Sequence, residues 1–306
     1  MKFKIKQPYL RWLFVLTVIG WTTMANSGDT KTYCIGRVLI EIPVSFQLVR
    51  HDGSVYGVRL KRLALGDNNE ALRIANEQIR ALKKGDVSDN GTPQIFRDAQ
   101  TIEGVHVVSR YNDFSSLGID LNHIWEEDAY FSSGGVVFRA STVVDLESPI
   151  DYHAHLLAVA NAARPRDPDE IPSEEGTCLE DAFIALPVKS EAVGASFYHP
   201  TEKSLGVQIG YILRQPGGRE VELEALNSNI GREINVAGFL GREAKDNKDY
   251  LFYYALLGQQ TTRNRHGYRI SVRYFDYRKN FGQSPITEKE ADKYWDMLIN
   301  SIQVRR

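Results

Sequence analysis

The chain is poor in the residue types that most enzyme and metal chemistry requires. Its 306 residues include two cysteines, three methionines and seven histidines. The two cysteines, Cys34 and Cys178, are too far apart in sequence to form a zinc-binding pair. His51, His106, His123, His199 and His266 have no cysteine or carboxylate neighbours at ligand spacing, and His153 and His155 stand two apart, which on a helix turns them to different faces. No phosphate loop or dinucleotide fingerprint occurs, so no metal and no cofactor is expected. A Gly-x-Ser-x-Gly elbow, which exposes a serine nucleophile on a strained turn, is also missing. The nearest approach, Gly282-Gln-Ser-Pro-Ile286, lacks the last glycine and carries a proline that prevents the turn. No catalytic residue is assigned.

Basic charge is slightly outnumbered, with 37 lysines and arginines against 39 acidic residues. Net charge is -2, and Lys2, Lys4, Lys6 and Arg11 all lie ahead of an apolar run from Trp12 to Met24. That run falls short of the roughly 20 residues a bilayer span needs, and Thr23-Met24-Ala25 resembles a small-residue cleavage site. Residues 1–25 therefore read as a signal peptide that directs the chain to the periplasm. A membrane is touched only through this leader, if it stays uncleaved. Lys31, Thr32 and Tyr33 before Cys34 do not form a lipoprotein box. Losing the leader would leave a net charge of -6, which argues against nucleic acid as a partner.

What the sequence does contain is a repeat. Cys34-Ile-Gly-Arg-Val-Leu-Ile-Glu-Ile-Pro43 and Cys178-Leu-Glu-Asp-Ala-Phe-Ile-Ala-Leu-Pro187 share Cys, Ile40/Ile184 and Pro43/Pro187, with Leu39/Phe183 alike in character. Each copy ends in an alternating strand followed by a helix. In the first, Val137 to Val143 precedes Ser148-Pro149, read as N-cap and first helical residue, with a stripe at Ile150, His153, Leu157 and Ala160. In the second, Tyr268, Ile270, Val272 and Tyr274 alternate with Arg269, Ser271 and Arg273, and Thr287 to Glu290 forms a capping box ahead of Ala291, Tyr294, Trp295, Leu298 and Ile302. Asn68 to Lys84, ending at Gly85, predicts a further helix with Leu72, Ala75, Ile79 and Leu82 on one face. Strands are expected at 93–102, 105–111, 121–131 and 136–144, then at 205–213, 236–242, 251–257 and 268–275; Glu220 to Asn227 is ambiguous.

The fold class is therefore α+β: two similar domains, each a mostly antiparallel sheet with one or two helices packed on it. Residues 30–163 form the N-terminal domain, the proline-rich and charged stretch 164–176 the linker, and 177–306 the C-terminal domain. Cys34 and Cys178 admit one disulfide in an oxidising compartment; two buried free thiols are the other reading.

Fifteen tyrosines and four tryptophans supply interface-forming area, and two lobes on a short linker leave a cleft for a partner. Trp125, Glu126, Glu127 and Tyr130 are the candidate partner-binding residues. Strand alternation sends Glu126 and Asp128 to one face and Glu127 to the other, so the acidic run reads as a solvated edge or a partner-facing patch. As a hydrolase, the chain would have to use carboxylates such as Glu126 and Asp128. As an exported ligand- or peptide-binding envelope protein, it would use the cleft.

Thr32-Tyr33-Cys34-Ile35-Gly36-Arg37 running on to Ile-Pro, with Gly176-Thr177-Cys178 running through Ala182-Phe183-Ile184, resembles the immunity proteins of type VI secretion lipase effectors. The resemblance spans essentially the whole chain after the leader. It implies a periplasmic two-domain antitoxin whose partner is a cognate phospholipase of the α/β-hydrolase type, grasped between the domains so that its lid cannot open onto lipid. It brings no catalytic residue.

Overall fold

The computed structural model describes residues 29–85, 91–113, 123–187, 190–202, 205–214, 231–246, 251–258, 267–276 and 287–305. The expected leader and the ambiguous stretch Glu220 to Asn227 lie outside them.

Each cysteine lies at or one residue before the end of the first strand of a hairpin. Strand β1 (Thr30–Ile35) turns at Gly36 and Arg37 into β2 (Val38–Pro43), and β10 (Thr177–Cys178) turns into β11 (Ala182–Ile184). In both hairpins the cysteine faces the residue five positions on, Cys34 opposite Leu39 and Cys178 opposite Phe183. The two cysteines are joined in a disulfide, with Cα atoms 5.8 Å apart, and pack with Phe183 and Leu39. Gly36 sits at φ +60°, and a Cβ there would lie 2.8 Å from a ring carbon of Tyr211, so the turn demands glycine.

All but two of the remaining strands build one sheet. In the first half come β3 (Gln47–Val55), β4 (Val58–Leu65), helix α1 (Asn68–Lys83), β5 (Gln94–Ile102), β6 (Val105–Asn112), β7 (Ile124–Ser133), β8 (Val136–Asp145), α2 (Tyr152–Ala162) and β9 (Ala163–Pro165). In the second come β12 (Glu191–Tyr198), β13 (Leu205–Arg214), β14 (Arg232–Val236), β15 (Phe239–Asp246), β16 (Leu251–Gly258), β17 (Gly267–Asp276), α3 (Glu288–Asn300) and β18 (Gln303–Val304). Twelve of these strands pair antiparallel in the order β14-β15-β16-β17-β13-β12-β3-β4-β8-β7-β6-β5. Counted outward from the β12–β3 seam, the order is the same on both sides, the mark of a pseudo-twofold axis. At the seam His51 stands opposite Ala195, and these two residues have the same separation as the cysteines, 144 positions. Equivalent residues meet only near such an axis, so disulfide and seam mark the same one.

The halves also exchange their last strands. β9, which follows α2, pairs with β11 of the second hairpin; β18, which follows α3, pairs with β2 of the first. The stretch expected as a linker thus begins inside a strand. Arg166, buried just beyond it, donates hydrogen bonds to the carbonyls of Pro168, Glu170 and Leu179. Arg37 crosses between the halves as well: its buried Nε meets Glu191 at 2.8 Å and its Nη2 the carbonyl of Leu186 at 2.6 Å.

One core runs under both halves of the sheet. Ile35, Ile40, Leu156, Val159, Trp295 and Leu298, from the small hairpin and from α2 and α3, meet Val58, Ala129, Phe138, Val193, Ile209, Val272 and Tyr274 from the sheet. Helix α1 covers the opposite face of β5–β8, burying Ala71, Ala75 and Leu82 against Val108, Tyr130 and Val137. Asp67 caps it by accepting from the amides of Asn69 and Glu70. Leu72, expected on its inner face, is 41% exposed, and Ala71 takes its place because Ala is small enough for the helix to lie close to the sheet.

Three local expectations shift. The hydroxyl of Ser148 bonds the amide of Ile150 in a local turn, so Asp151 becomes the N-cap of α2, accepting from Ala154, and the buried stripe is Leu156, Val159 and Ala160 while Ile150 is exposed. The expected strand 236–242 is two strands, β14 and β15, joined at Ala237 and Gly238, both with positive φ, the backbone of a tight hairpin turn. His155, turned away from the apolar stripe that holds His153, nevertheless packs on Tyr56 with ring centres 4.9 Å apart. The capping box of α3 forms as read, with Thr287 and Glu290 bonded reciprocally.

Candidate partner-binding site

Near the seam, the sheet face opposite the main core opens as a trough of about 340 Å³. Two rows of residues cross its four strands β3, β12, β13 and β17. One row reads Asp52, Gly194, Gly210, Ser271, each residue opposite the next in register. The neighbouring row reads Arg50, Ser196, Gln208, Arg273. Alternation explains the placement: His51, Ala195, Ile209 and Val272 between them point into the core, so these residues point out. Of the paired glycines, Gly194 leaves the floor bare, whereas the Ser271 hydroxyl would lie 2.7 Å from a Cβ on Gly210. A Cβ on Gly194 would meet only the carbonyl of Ile209, at 3.6 Å. Glycine inside strands marks close approach by another chain or ligand.

Charge is placed at the ends. Arg50 and Asp52 are exposed and bonded to each other, Nε to Oδ2 at 2.8 Å. Arg273 stands exposed at the far end, three strand spacings or roughly 14 Å away. Arg59, opposite Ser54 in register, and Lys61 continue the exposed face on β4. Around the trough, cationic side chains outnumber Asp52. A β-bulge at the Ser196–Phe197 register step places Val49, 64% exposed, at its rim.

The residues expected to face a partner lie elsewhere and inside. β7 is no edge: it runs between β6 and β8, under α1 on one face and α2 on the other. Trp125, Glu127 and Tyr130 are therefore buried, and Glu126 is half-buried. Alternation does divide the acidic run as read. Glu126 and Asp128 share Arg110, and Asp128 also accepts from Ser141; Glu127, on the other face, accepts from Trp125 Nε1 at 2.9 Å and bonds His153 Nδ1 at 2.7 Å. Arg97 lies over the indole of Trp125, 3.5 Å from its centre. Burial pushes the Tyr130 phenol up. These carboxylates are occupied by internal partners. The trough, in contrast, was not visible in the sequence except at Ser271 and Arg273, which alternation placed outward.

No protein-family model matches the chain, and neither does any curated protein. Solved structures do. A chain of the crystal structure of a Tle4–Tli4 complex is similar with a TM-score of 0.68 at 18% identity, over 92% of this chain and 99% of that one. The immunity protein TplEi of the type VI secretion system of Pseudomonas aeruginosa, crystallised without ligand, is similar at 0.64 and 19% over the same shares. The chain shares the fold of TplEi. TplEi bound to an "L" peptide matches at 0.62 and 18%. Each match covers 92% of this chain and so takes in both halves. Among the described residues, no helix is long and apolar enough to cross a membrane, and no three His, Cys, Asp or Glu side chains gather as metal ligands would.

Proposed function

We propose that this chain is a periplasmic immunity protein that binds a lipase-type effector of type VI secretion and inhibits it by occupying its surface, catalysing nothing itself. The observation that carries the reading is the fold match along nearly the full length of an immunity protein, seen both alone and with a bound peptide. The leader-like residues 1–25 support export. The disulfide at the axis suits an oxidising compartment. Inhibition without chemistry agrees with carboxylates of β7 that are engaged internally by Arg110, Trp125 and His153. A sheet twelve strands wide is a preorganised surface, which lowers the ordering cost of binding.

The test is co-expression. The chain, with its leader, is produced together with the lipase encoded beside its gene, the lipase being sent to the periplasm. Growth is expected to be restored, and the two proteins to co-purify. Continued lysis with both proteins present overturns the proposal.

A further inference from the structure

We infer that the trough across β3, β12, β13 and β17 receives an acidic segment of the partner protein, a chain crossing the strands with carboxylates that meet Arg50 at one end and Arg273 at the other. The inference rests on the immunity reading and specifies the chemistry of its partner.

Four observations lead there. Three of the trough strands are hydrogen-bonded on both sides, β12 by β3 and β13, β13 by β12 and β17, and β17 by β13 and β16, while β3 pairs with β12 along its length and with β4 only at Ser54 and Val55. On the floor made by β12, β13 and β17 a partner cannot add a strand and must present side chains to the sheet's face. Next, Gly194 and Gly210 stand opposite each other; the floor is open above Gly194 and admits another backbone there to van der Waals distance, while the Ser271 hydroxyl leans over Gly210. The row beside them ends in guanidinium groups, with Ser196 and Gln208 between as short-range donors. Finally, the patch of Arg50, Arg59, Lys61 and Arg273 is cationic on a chain whose net charge is -2, and only Asp52 opposes it within the rows. Such a reversal of sign on one face selects an anionic partner and repels a basic one.

Asp52 gives the inference its sign. It holds Arg50 in an ion pair, and a partner carboxylate must compete with it for that guanidinium. Removing the Asp52 charge should therefore tighten the binding of an acidic segment and weaken that of a basic one.

The experiment measures binding of the purified neighbouring lipase to immobilised full-length mature chain, at two salt concentrations. Arg50→Glu with Arg273→Glu should weaken binding about 100-fold. Gly194→Leu should weaken it at least about tenfold by filling the floor, its Cβ having ordinary room. Asp52→Asn should tighten it several-fold. All three variants alter outward-facing positions, and unchanged melting temperatures verify their folding. If the lipase fails to bind the unmodified chain, the immunity reading falls. If it binds that chain and the first two variants equally well, the immunity reading stands and the trough is not the seat. Weaker or unchanged binding by Asp52→Asn overturns the acidic chemistry. Phosphatidylglycerol vesicles are the second probe: vesicle binding that is lost in the double glutamate variant, while lipase binding persists, assigns the cationic face to a membrane and overturns the inference.

Discussion

His51 shows how much a single side chain at the seam can set. It lies on β3 with its ring in the core, and burial together with the neighbouring Arg166 charge lowers its pKa from 6.5 to about 4. The unfolded chain thus takes up a proton near pH 6.5 while the folded chain refuses it until about pH 4. Stability on this account is full above pH 6.5 and falls as pH drops through that window, by about 3 kcal/mol in total. The depressed carboxylates, Asp67, Glu170 and Glu290 among them, act lower, since their stabilisation is present above about pH 4.5 and is lost below it. Urea unfolding at pH 7 and pH 4.5 should show the loss, and His51→Phe should flatten the difference; an equally steep variant would remove His51 as its source. Nothing in the sequence Arg50-His51-Asp52 marks the middle residue as buried. Its neighbours Arg50 and Asp52 in the trough were hidden for the same reason: their significance comes from β12, some 140 residues away.

At the level of elements, legibility followed the strength of local pattern. α3 was readable because capping box and apolar stripe agree, and the structure buries Ala291, Trp295 and Leu298 as that stripe requires. The stripe does not reveal that Trp295 Nε1 donates to Glu243 on β15 at 2.9 Å, in a site where both side chains are buried. Trp295→Phe keeps most of the packing yet leaves that carboxylate oxygen without its donor, and should cost about 2 kcal/mol. Adding Glu243→Gln should return part of the loss, measurable as a shift in urea midpoint at constant slope. Strands β6, β7 and β8 were legible by alternation, whereas β3 was not: Gln47-Leu-Val-Arg-His-Asp-Gly-Ser-Val55 buries a histidine, includes a glycine and contains a bulge, each of which breaks the two-residue period. β7 was recognised as a strand but its acidic run was read as an exposed edge or patch. Whether a strand is an edge is fixed by its neighbours, and Trp125-Glu-Glu-Asp128 is polar in sequence because its charges are paired inside.

At the scale of the whole molecule, the repeat was visible through its cysteines, while the way the copies combine was not. Three identities in ten residues point to two related halves, and the structure shows equivalent hairpins, seam residues and strand orders about one axis. Which half would contribute which strand depends on pairings between residues as distant as Leu39 and Gln303. The disulfide closes a loop of 144 residues, so replacing both cysteines with alanine should destabilise the chain by about 5 kcal/mol, the chain-entropy expectation for so long a loop. Guanidinium unfolding of the oxidised protein and of Cys34→Ala/Cys178→Ala measures it. A change below about 1 kcal/mol would mean that the exchanged strands and the Arg37–Glu191 pair hold the halves together without it.

The exchange of β9 and β18 has a consequence for how the chain reaches this state. The small sheet begun by residues 30–43 is completed only by Gln303 and Val304, so this segment stays unfinished until residues roughly 260 positions later are made. On the proposed export route, that small sheet would remain incomplete while the chain passes. Ending the chain after Ile302 should therefore do its damage at the opposite terminus: hydrogen exchange should quicken at Leu39 and its neighbours in β2, while the distant β5–β6 pair keeps its protection.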